Sequence, residues 1–284
     1  MTESRVAMRV ARRGRGLAFQ AAVAAAAVVL VSFLAMPFVA LLLRVSPAQL
    51  LARLGDPVVL DALRLSLVTS AAATLIVVLL GLPVAYLLAT REFFGKRVVE
   101  VLIDLPMVLP PTVAGFALLM AFGRMGLLGR SLGALGITLP FTTAGVVIAQ
   151  VFMATPFFVG PARAGFAGVD RKLLDAAATL RASESHAFLR VVLPLAAPAL
   201  VAGVAMSCAR ALGEFGATIT FAGNLPGSTQ TMPLAVYIAL QSDLDAAVVL
   251  SVLLLVMAFG LLLGLRSAPA GWFWNRAHAR PQGK

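Results

Sequence analysis

The sequence is poor in charge and has almost no cysteine or histidine. Charged residues make up 12% of the 284 residues, whereas hydrophobic residues make up 61%. A soluble domain carries about 25% charged residues, so this chain has too little polar surface for water to be its only solvent. One cysteine and two histidines are too few for a structural zinc site, and no metal ligands are predicted.

The phosphate-binding loop of ATPases is also missing. Its pattern is G-x-x-x-x-G-K-[ST]. The Gly-Lys pairs of this chain are Gly95-Lys96 and Gly283-Lys284, and neither is followed by Ser or Thr. The sequence therefore predicts a chain that is not an enzyme, binds no cofactor of its own and does not hydrolyse ATP.

The net charge of +11 does not indicate a nucleic-acid partner. A nucleic-acid-binding surface needs basic residues clustered on one polar face. The basic residues of this chain lie between long apolar runs. Their pattern is typical of a protein whose partner surface is membrane lipid.

Six runs with few or no charges are long enough to cross a bilayer, which takes about 20 helical residues. They are residues 16–43, 65–90, 105–123, a segment within 131–162, a segment from 191 through Arg210 and Glu214, and 246–265. Backbone groups in lipid must bond within their own segment, and no two-residue alternation indicates a barrel. The predicted fold class is an all-α integral membrane protein with six transmembrane helices.

The first run follows a cluster of arginines, as a signal peptide does. The apolar core of a signal peptide spans only about 7–15 residues, and this run is longer. We therefore expect a retained first helix.

The basic residues also orient the chain, because cytoplasmic loops carry an excess of Lys and Arg. Placing both termini in the cytoplasm puts most basic residues on the cytoplasmic side, in segments 1–15, 91–97, 163–190 and 266–284. Residues 163–190 then form a cytoplasmic loop, and loops of that length usually have a function.

This loop reads as two short helices. Asp170 is a good N-cap residue for a helix that starts at Arg171, and Ser183 for a second helix. Apolar residues recur at helical spacing on the first helix: they are Leu173, Leu174, Ala177 and Leu180. Such a projection suits a groove in another protein, and the alternative is an amphipathic hairpin on lipid headgroups.

The spacing of this loop resembles the EAA loop of bacterial ABC importer permeases. The matching residues are Asp175-Ala176-Ala177, Arg181 and, further on, Val191-x-Leu193-Pro194. Asp175 stands where the family has Glu, and Arg181 where it has the Gly between two short helices. A left-handed conformation at a non-Gly residue costs about 1–2 kcal/mol, so either this turn has a different shape or its surroundings hold Arg181 in place.

The resemblance covers residues 57–266 and is closest to the molybdate and sulfate branch. Stretches 81–89, 94–97, 105–113 and 211–237 carry it, and 213–218 reads closer to molybdate permeases. The resemblance implies a type I (MetI-like) permease fold in the bacterial cytoplasmic (inner) membrane. It implies a homodimer with two cytoplasmic ATPase subunits, which use ATP and Mg, and an external oxyanion-binding protein. Molybdate is the expected substrate, with sulfate or tungstate as alternatives.

The expected organisation has three parts. Residues 1–56 form a basic N-terminus and an extra first helix, 57–266 the permease core, and 267–284 a basic cytoplasmic tail. The resemblance assigns the ATPase-coupling surface to eight loop residues: Asp170, Leu173, Leu174, Asp175, Ala176, Ala177, Leu180 and Arg181.

Several membrane residues are candidates for the translocation pathway. Arg210 and Glu214 are four residues apart, so they are expected to share a helix face and pair. Charges within the membrane are costly and usually functional, although a purely structural pair is the alternative. The other candidates are Pro110 and Pro111, which should break the third helix, and the hydroxyl groups of Thr218 and Thr220.

An external turn and two other functional classes complete the hypotheses. Asn224, Pro226 and Gly227 lie in a predicted outward-facing turn, near the expected docking surface of the external binding protein. An ion-coupled secondary transporter, with Glu214 or Asp104 as its ion site, would need no ATPase and would leave loop 163–190 without a role. A structural membrane anchor would leave the charges at positions 210 and 214 unexplained.

Overall fold

The computed structural model describes residues 3–267, with side chains for residues 19–265, and these form two compact units that divide at Leu50. The described residues contain helices and no strand. The helices are α1 (Glu3–Leu42), α2 (Pro47–Leu54), α3 (Pro57–Thr90), α4 (Lys96–Val108), α5 (Pro111–Phe122), α6 (Gly129–Ala134), α7 (Thr143–Ala167), α8 (Arg171–Thr179), α9 (Glu184–Ala187), α10 (Leu193–Leu212), α11 (Gly216–Phe221), α12 (Met232–Ser242) and α13 (Leu244–Ser267), with a π-helical turn (Phe188–Val192) between α9 and α10.

Five helical segments are long and apolar enough to cross a membrane. They are Phe19–Leu42 of α1, α3, α7, the continuous Glu184–Leu212 and Leu244–Leu265 of α13. These segments correspond to five of the six predicted runs, and the all-helical fold class is confirmed. The predicted tail beyond Ser267 lies outside the described residues.

The third predicted run, 105–123, is the one without a single long helix, because it is divided between two helices. α4 ends at Val108, where the Leu109 N–H still donates to the Leu105 carbonyl, and α5 begins at Pro111. Pro111 has no N–H to continue a helix, and Pro110 is extended with ψ 132°. The predicted break is therefore confirmed, and α5 is a short apolar helix of 12 residues.

The prediction that one helix runs through both Arg210 and Glu214 is wrong. α10 ends at Leu212, Gly213 is its C-cap, and the chain resumes as α11 at Gly216. Helix α12 was also not predicted, because its 11 residues are too few for a membrane span. The predicted connection between the last two runs therefore contains a short apolar helix.

Three helices form the main core of the second unit. Phe158 of α7 is fully buried where α3 and α10 approach it. A Cβ atom on Gly81 of α3 would lie 2.9 Å from Cδ1 of the Phe158 ring, and one on Gly203 of α10 would lie 3.2 Å from its Cδ2. Glycine at these positions lets both helices pack directly on α7.

The two ends of this bundle differ in what they carry. The end of the bundle where α3 and α7 terminate is called the loop end, because α8 and α9 follow α7 there. The opposite end is called the distal end. Helix α12 packs against α3 and α13, and its Met232 N–H donates to Ser66 Oγ of α3 at 2.7 Å. Near the distal end, Arg53 of α2 pairs with Asp243 at 3.1 Å.

Candidate coupling loop and membrane pathway

The loop after α7 forms the two short helices that the sequence predicts. α7 continues through Arg163 to Ala167, so the loop is shorter than the predicted 163–190. Asp170 Oδ1 accepts the Lys172 N–H at 3.0 Å, and Ser183 Oγ accepts the His186 N–H at 3.3 Å. Both predicted N-caps are present, and each fixes the start of its helix.

The apolar residues of α8 do not form a single exposed face. Leu174 and Ala177 are half-buried, and Leu174 packs against the buried core. Leu173 is 45% exposed and Leu180 is 83% exposed. Leu174 and Ala177 therefore hold the loop against the rest of the chain. Of the four predicted apolar residues, only Leu173 and Leu180 are exposed to a partner.

The turn between α8 and α9 keeps a left-handed residue although it has no glycine. Arg181 has a φ of 57°. Its N–H donates to the Ala178 carbonyl at 2.9 Å, and the Ala182 N–H donates to the Ala177 carbonyl at 3.0 Å. This pair of bonds is the Schellman motif, which usually places Gly at the left-handed position. The family-like turn is thus preserved with an arginine in the strained position.

Three aromatic rings join the loop to the membrane helices. Tyr86 of α3 lies edge-on to Phe166 of α7, with ring centroids 5.5 Å apart, and to Phe188, at 4.8 Å. Phe188 opens the π-helical turn that leads into α10. We call these three residues the aromatic joint. Through it, α3 contacts the chain just before the loop, at Phe166, and just after the loop helices, at Phe188.

A cavity of about 560 Å³ lies beside the aromatic joint, between α8 and the ends of α3 and α7. The Arg91 guanidinium on one wall is 4.0 Å from the Glu184 carboxylate on the other. Both side chains are largely exposed, so this pair contributes little. The loop is held to the bundle mainly by its apolar and aromatic contacts.

A second ion pair ties α4 to α7 near the loop end. Arg163 Nη1 lies 2.8 Å from Glu100 Oε1, and both side chains are partly buried. Asp104 on the same helix is exposed and makes no hydrogen bond or ion pair with the residues that the structure describes. Asp104, one of the two residues that a secondary transporter could use as its ion site, is therefore not enclosed by the described residues.

Arg210 of α10 and Glu214, which lies in the connection between α10 and α11, form the predicted pair although no single helix contains both. Arg210 Nη1 is 2.6 Å from Glu214 Oε2. Glu214 is 1% exposed, and its Oε1 accepts the Ala217 N–H at 2.7 Å. The Arg210 guanidinium also lies 6.0 Å from the centroid of the Phe157 ring. Glu214 is thus a buried link between the end of α10 and the start of α11.

The other pathway candidates gather where α5 packs on α11. A Cβ atom on Gly216 would lie 2.7 Å from Pro111 Cβ, and one on Gly115 would lie 2.8 Å from Thr220 Cβ. The Thr220 hydroxyl donates to the Gly216 carbonyl at 2.9 Å. Thr218 is fully buried, and its Oγ1 has no hydrogen-bond partner among residues 19–265, whose side chains the structure describes. This contact places Pro111, Glu214, Thr218 and Thr220 in one region beside the break at Pro110.

The predicted external turn is a hydrogen-bonded turn near α7. The Leu225 carbonyl accepts the Ser228 N–H at 3.1 Å, and Gly227 has a φ of 73°, as a type II turn requires there. Pro226 and Gly227 are exposed, whereas Asn224 is half-buried. The Thr143 hydroxyl of α7 donates to the Ser228 carbonyl at 2.9 Å and holds the turn in place.

The sequence reasoning missed the aromatic joint and the Gly115 contact. Tyr86 lies inside an apolar run, where aromatic residues are expected as ordinary core or lipid-facing residues, and Phe166 and Phe188 lie within the predicted loop 163–190. Glycine in the middle of an apolar helix was the available signal, because it lowers helix stability unless close packing requires it. Only the tertiary structure identifies which neighbours these residues contact.

A family model described as "Binding-protein-dependent transport system inner membrane component" matches residues 77–265. The chain belongs to this family. The matched range begins within α3, covers the loop and the α5–α11 contact, and ends within α13. Membrane subunits of this family are not catalytic, and ATP hydrolysis in these transporters belongs to a separate subunit.

Curated relatives of this permease extend over most of its length. The molybdenum transport system permease protein ModB of Mycobacterium tuberculosis is 48% identical over 237 residues, which are 82% of this chain and 88% of the relative. The ModB protein of Escherichia coli K12 is 42% identical over 183 residues, or 64% of this chain and 80% of the relative.

Solved ABC importers share the fold of this permease at low identity. A chain of a bacterial transporter that imports the acidic polysaccharide alginate has a TM-score of 0.72 and 13% identity, covering 94% of this chain and 98% of that one. A chain of the MetNI methionine transporter in an inward-facing conformation has a TM-score of 0.58 and 17% identity, covering 73% and 93%. The ABC importer permease fold is therefore confirmed.

Proposed function

We propose that this permease imports an oxyanion, molybdate, across the bacterial inner membrane. The observation that carries the substrate is the extended similarity to molybdenum transport permeases, which spans the core helices and the loop. Sulfate and tungstate remain the alternative substrates, because both are tetrahedral oxyanions with the same charge. The chain itself performs no covalent chemistry, and its partner subunits hydrolyse ATP with Mg.

The proposed assembly contains two copies of the permease, two ATPase subunits and an external binding protein. Both termini and the loop end face the cytoplasm, and the turn at Pro226 and Gly227 faces the binding protein. The exposed face of α5 supports a second copy beside the pathway region, because Val113, Phe116 and Met120 remain about half exposed on it. Residues 57–266 form the transporting core in this proposal.

Coupling follows from how the loop is attached. ATP-driven closure of the two ATPase subunits brings the two loops together. Since Leu174 and the aromatic joint fix the loop to α3 and α7, its displacement moves these helices with it. The pathway then opens outward, and hydrolysis reverses the change. A secondary transporter would not need this rigid attachment.

Charge in the pathway region suits an anion. Glu214 alone would repel an oxyanion, but Arg210 neutralises it at 2.6 Å. The side chain of Arg210 keeps 22% of its surface exposed, while that of Glu214 keeps 1%. The pair therefore presents its cationic partner, and fixed positive charge attracts anions into a cleft.

Uptake of labelled molybdate into proteoliposomes tests this function. The vesicles contain the permease with the ATPase subunit of a molybdate importer, and the binding protein is added outside. We expect uptake that needs internal ATP and is reduced by unlabelled tungstate more than by sulfate. Preferential competition by sulfate would reassign the substrate. Uptake driven by a proton or sodium gradient without ATP would support the secondary transporter instead.

A further inference from the structure

A cavity and a groove meet at the loop end, and Tyr86 and Glu184 line both of them. The cavity, of about 560 Å³, lies between α8 and the ends of α3 and α7, and its walls are both polar and apolar. The groove, of about 330 Å³, is bounded by Leu82 and Pro83 of α3 and by Phe188. A ligand that fills both needs a polar part and an apolar part.

The charged side chains that line the cavity are balanced in sign. Arg91 and Glu184 approach each other only to 4.0 Å, and both are largely exposed. Arg171 and Asp175 line the wall formed by α8, and neither forms an ion pair with residues 19–265. Because ion pairs between exposed side chains contribute little, these groups are available to a ligand. Two guanidinium groups and two carboxylates suit a ligand that carries both a positive and a negative charge.

The groove borders the outer surface of α3, which is long and apolar enough to cross a membrane. Leu79, Pro83 and Leu87 are exposed on α3 at four-residue spacing, so they share one face of the helix. At the rise of an α-helix, Pro83 lies about 10 Å from the last residue of α3, Thr90. The groove therefore lies where the hydrocarbon of a membrane gives way to its headgroups.

We propose that the cavity and the groove together bind one phospholipid with an amine headgroup, of the phosphatidylethanolamine class. The Arg91 guanidinium binds the lipid phosphate, and the Glu184 carboxylate binds the ammonium group. One acyl chain lies in the groove against Leu82 and Phe188. Guanidinium groups bind phosphate through parallel hydrogen bonds, and basic pockets between membrane helices bind phospholipid headgroups. Because Arg91 follows α3 and Glu184 begins α9, the lipid links the bundle to the loop.

Charge and position favour this lipid over other occupants. An anionic headgroup would meet the carboxylates of Glu184 and Asp175 as well as the arginines. A soluble phosphate compound would leave the apolar groove unfilled. The family resemblance assigns Asp175 to the ATPase-coupling surface, so the ammonium contact is placed on Glu184, which lies outside that set. The inference goes beyond the proposed function and does not depend on which anion is transported.

Native mass spectrometry of the purified full-length permease tests the site with phosphatidylethanolamine and phosphatidylglycerol that have the same acyl chains. Glu184→Gln removes the carboxylate and Arg91→Gln the guanidinium. Ala178→Leu fills part of the cavity without changing any charge, because Ala178 is exposed and lines it. Glu92→Gln and Lys172→Gln are the matched controls, since both residues are exposed at the loop end and line neither the cavity nor the groove. The thermal stability of each variant is recorded in parallel.

We expect the unchanged permease to bind phosphatidylethanolamine about tenfold more tightly than phosphatidylglycerol, the effect of one additional charged hydrogen bond. Glu184→Gln should bind the two lipids equally, and this ratio within one variant is insensitive to partial unfolding. Arg91→Gln and Ala178→Leu should weaken the binding of both lipids about tenfold, by the loss of the phosphate contact and of space. The two controls should bind like the unchanged protein. Soluble phosphoethanolamine should displace little lipid, because it has no acyl chain for the groove.

Several outcomes would contradict the proposal. Equal affinity of the unchanged permease for both lipids, or a preference for phosphatidylglycerol, would exclude the amine contact, as would a preference that persists in Glu184→Gln. Full displacement by soluble phosphoethanolamine would assign the cavity to a soluble phosphate compound, and displacement by added ATPase subunit would assign it to that protein. An equal loss in the controls would reduce the effect to the overall charge of the loop end. None of these measurements involves molybdate uptake, so failure of this inference is distinguishable from failure of the proposed function.

Discussion

The guanidinium of Arg210 lies 2.6 Å from the carboxylate of Glu214, and the other oxygen of that carboxylate accepts the Ala217 N–H at 2.7 Å. The buried side chain of Glu214 therefore joins α10 to α11, which are separated by the break at Gly213. Because α11 also packs on α5, this link fixes the region beside the break at Pro110. The same two residues thus have a structural role and a place in the proposed pathway.

Substitutions of Glu214 should separate two contributions to stability: the ion pair with Arg210 and the hydrogen bond from the Ala217 N–H. Glu214→Ala leaves Arg210 without its partner and removes the cap of α11, so we expect a loss of about 3 kcal/mol in stability. Glu214→Gln keeps an oxygen for the Ala217 N–H and should lose clearly less. Thermal unfolding of the purified permease in detergent measures both. Equal stability of the two variants would show that the cap at Ala217 contributes nothing.

The aromatic joint should transmit the displacement of the loop to α3 and α7 without contributing to the binding of the ATPase. Phe188→Ala removes the ring that contacts Tyr86 at 4.8 Å, and such a ring pair contributes about 0.5–1.5 kcal/mol beyond its buried area. We expect this variant to bind the ATPase normally and to hydrolyse ATP with little molybdate uptake. The ratio of anion imported to ATP hydrolysed is the measurement.

Leu189→Ala is the matched control for the joint. Leu189 is the next residue, and its side chain is largely exposed, so its removal should leave the ratio unchanged. Normal coupling in Phe188→Ala would contradict the role of the joint. Loss of ATPase binding in that variant would move Phe188 into the docking surface.

The approach of α5 to α11 should depend on the absence of a side chain at Gly115. A Cβ atom there would lie 2.6 Å from the Ala217 carbonyl oxygen, so Gly115→Ala must push the helices apart. Overpacking of this kind costs about 1–3 kcal/mol. Gly160→Ala in α7 is the control, because no atom lies within 4 Å of its added Cβ. Thermal unfolding should show a loss at position 115 and none at position 160.

The pair at the distal end should give the permease a pH-dependent stability. The Ala246 N–H and, to a smaller extent, Arg53 hold the pKa of Asp243 below its usual 3.8. Because the folded pKa is lower than the unfolded one, the stabilisation is present above pH 3.8 and is lost as the pH falls through the folded pKa. The melting temperature of Asp243→Asn should therefore fall less on acidification than that of the unchanged protein. Asp245→Asn, two residues further along the chain, should retain the full pH dependence of the unchanged protein.

Local signals in the sequence predicted some features accurately. The caps at Asp170 and Ser183 and the break at Pro110-Pro111 are properties of a few adjacent residues, and the structure contains all three. The end of α10 before Glu214 was missed because the apolar run continues through Gly213, and hydropathy does not report a helix end. The sequence pattern also predicted one apolar face on α8, whereas tertiary packing turns Leu174 inward and leaves Leu173 outside.

At Arg181 the local propensity of the residue did not predict its backbone conformation. The residue type argued against that conformation, since arginine pays a cost there that glycine does not. The neighbouring Schellman bonds, which involve the backbone of α8, impose it nevertheless. Of the two alternatives that the sequence leaves open, a differently shaped turn or an Arg181 held in place by its surroundings, the structure shows the second.

The central claim is that a separate ATPase drives this permease through the exposed side of the coupling loop. ATP-dependent uptake of molybdate by the reconstituted complex, compared between Leu173→Glu and the conservative Leu173→Met, tests it most directly. We predict that Leu173→Glu abolishes ATPase binding and uptake together, while Leu173→Met retains both. Undiminished ATP-dependent uptake by Leu173→Glu would contradict this account.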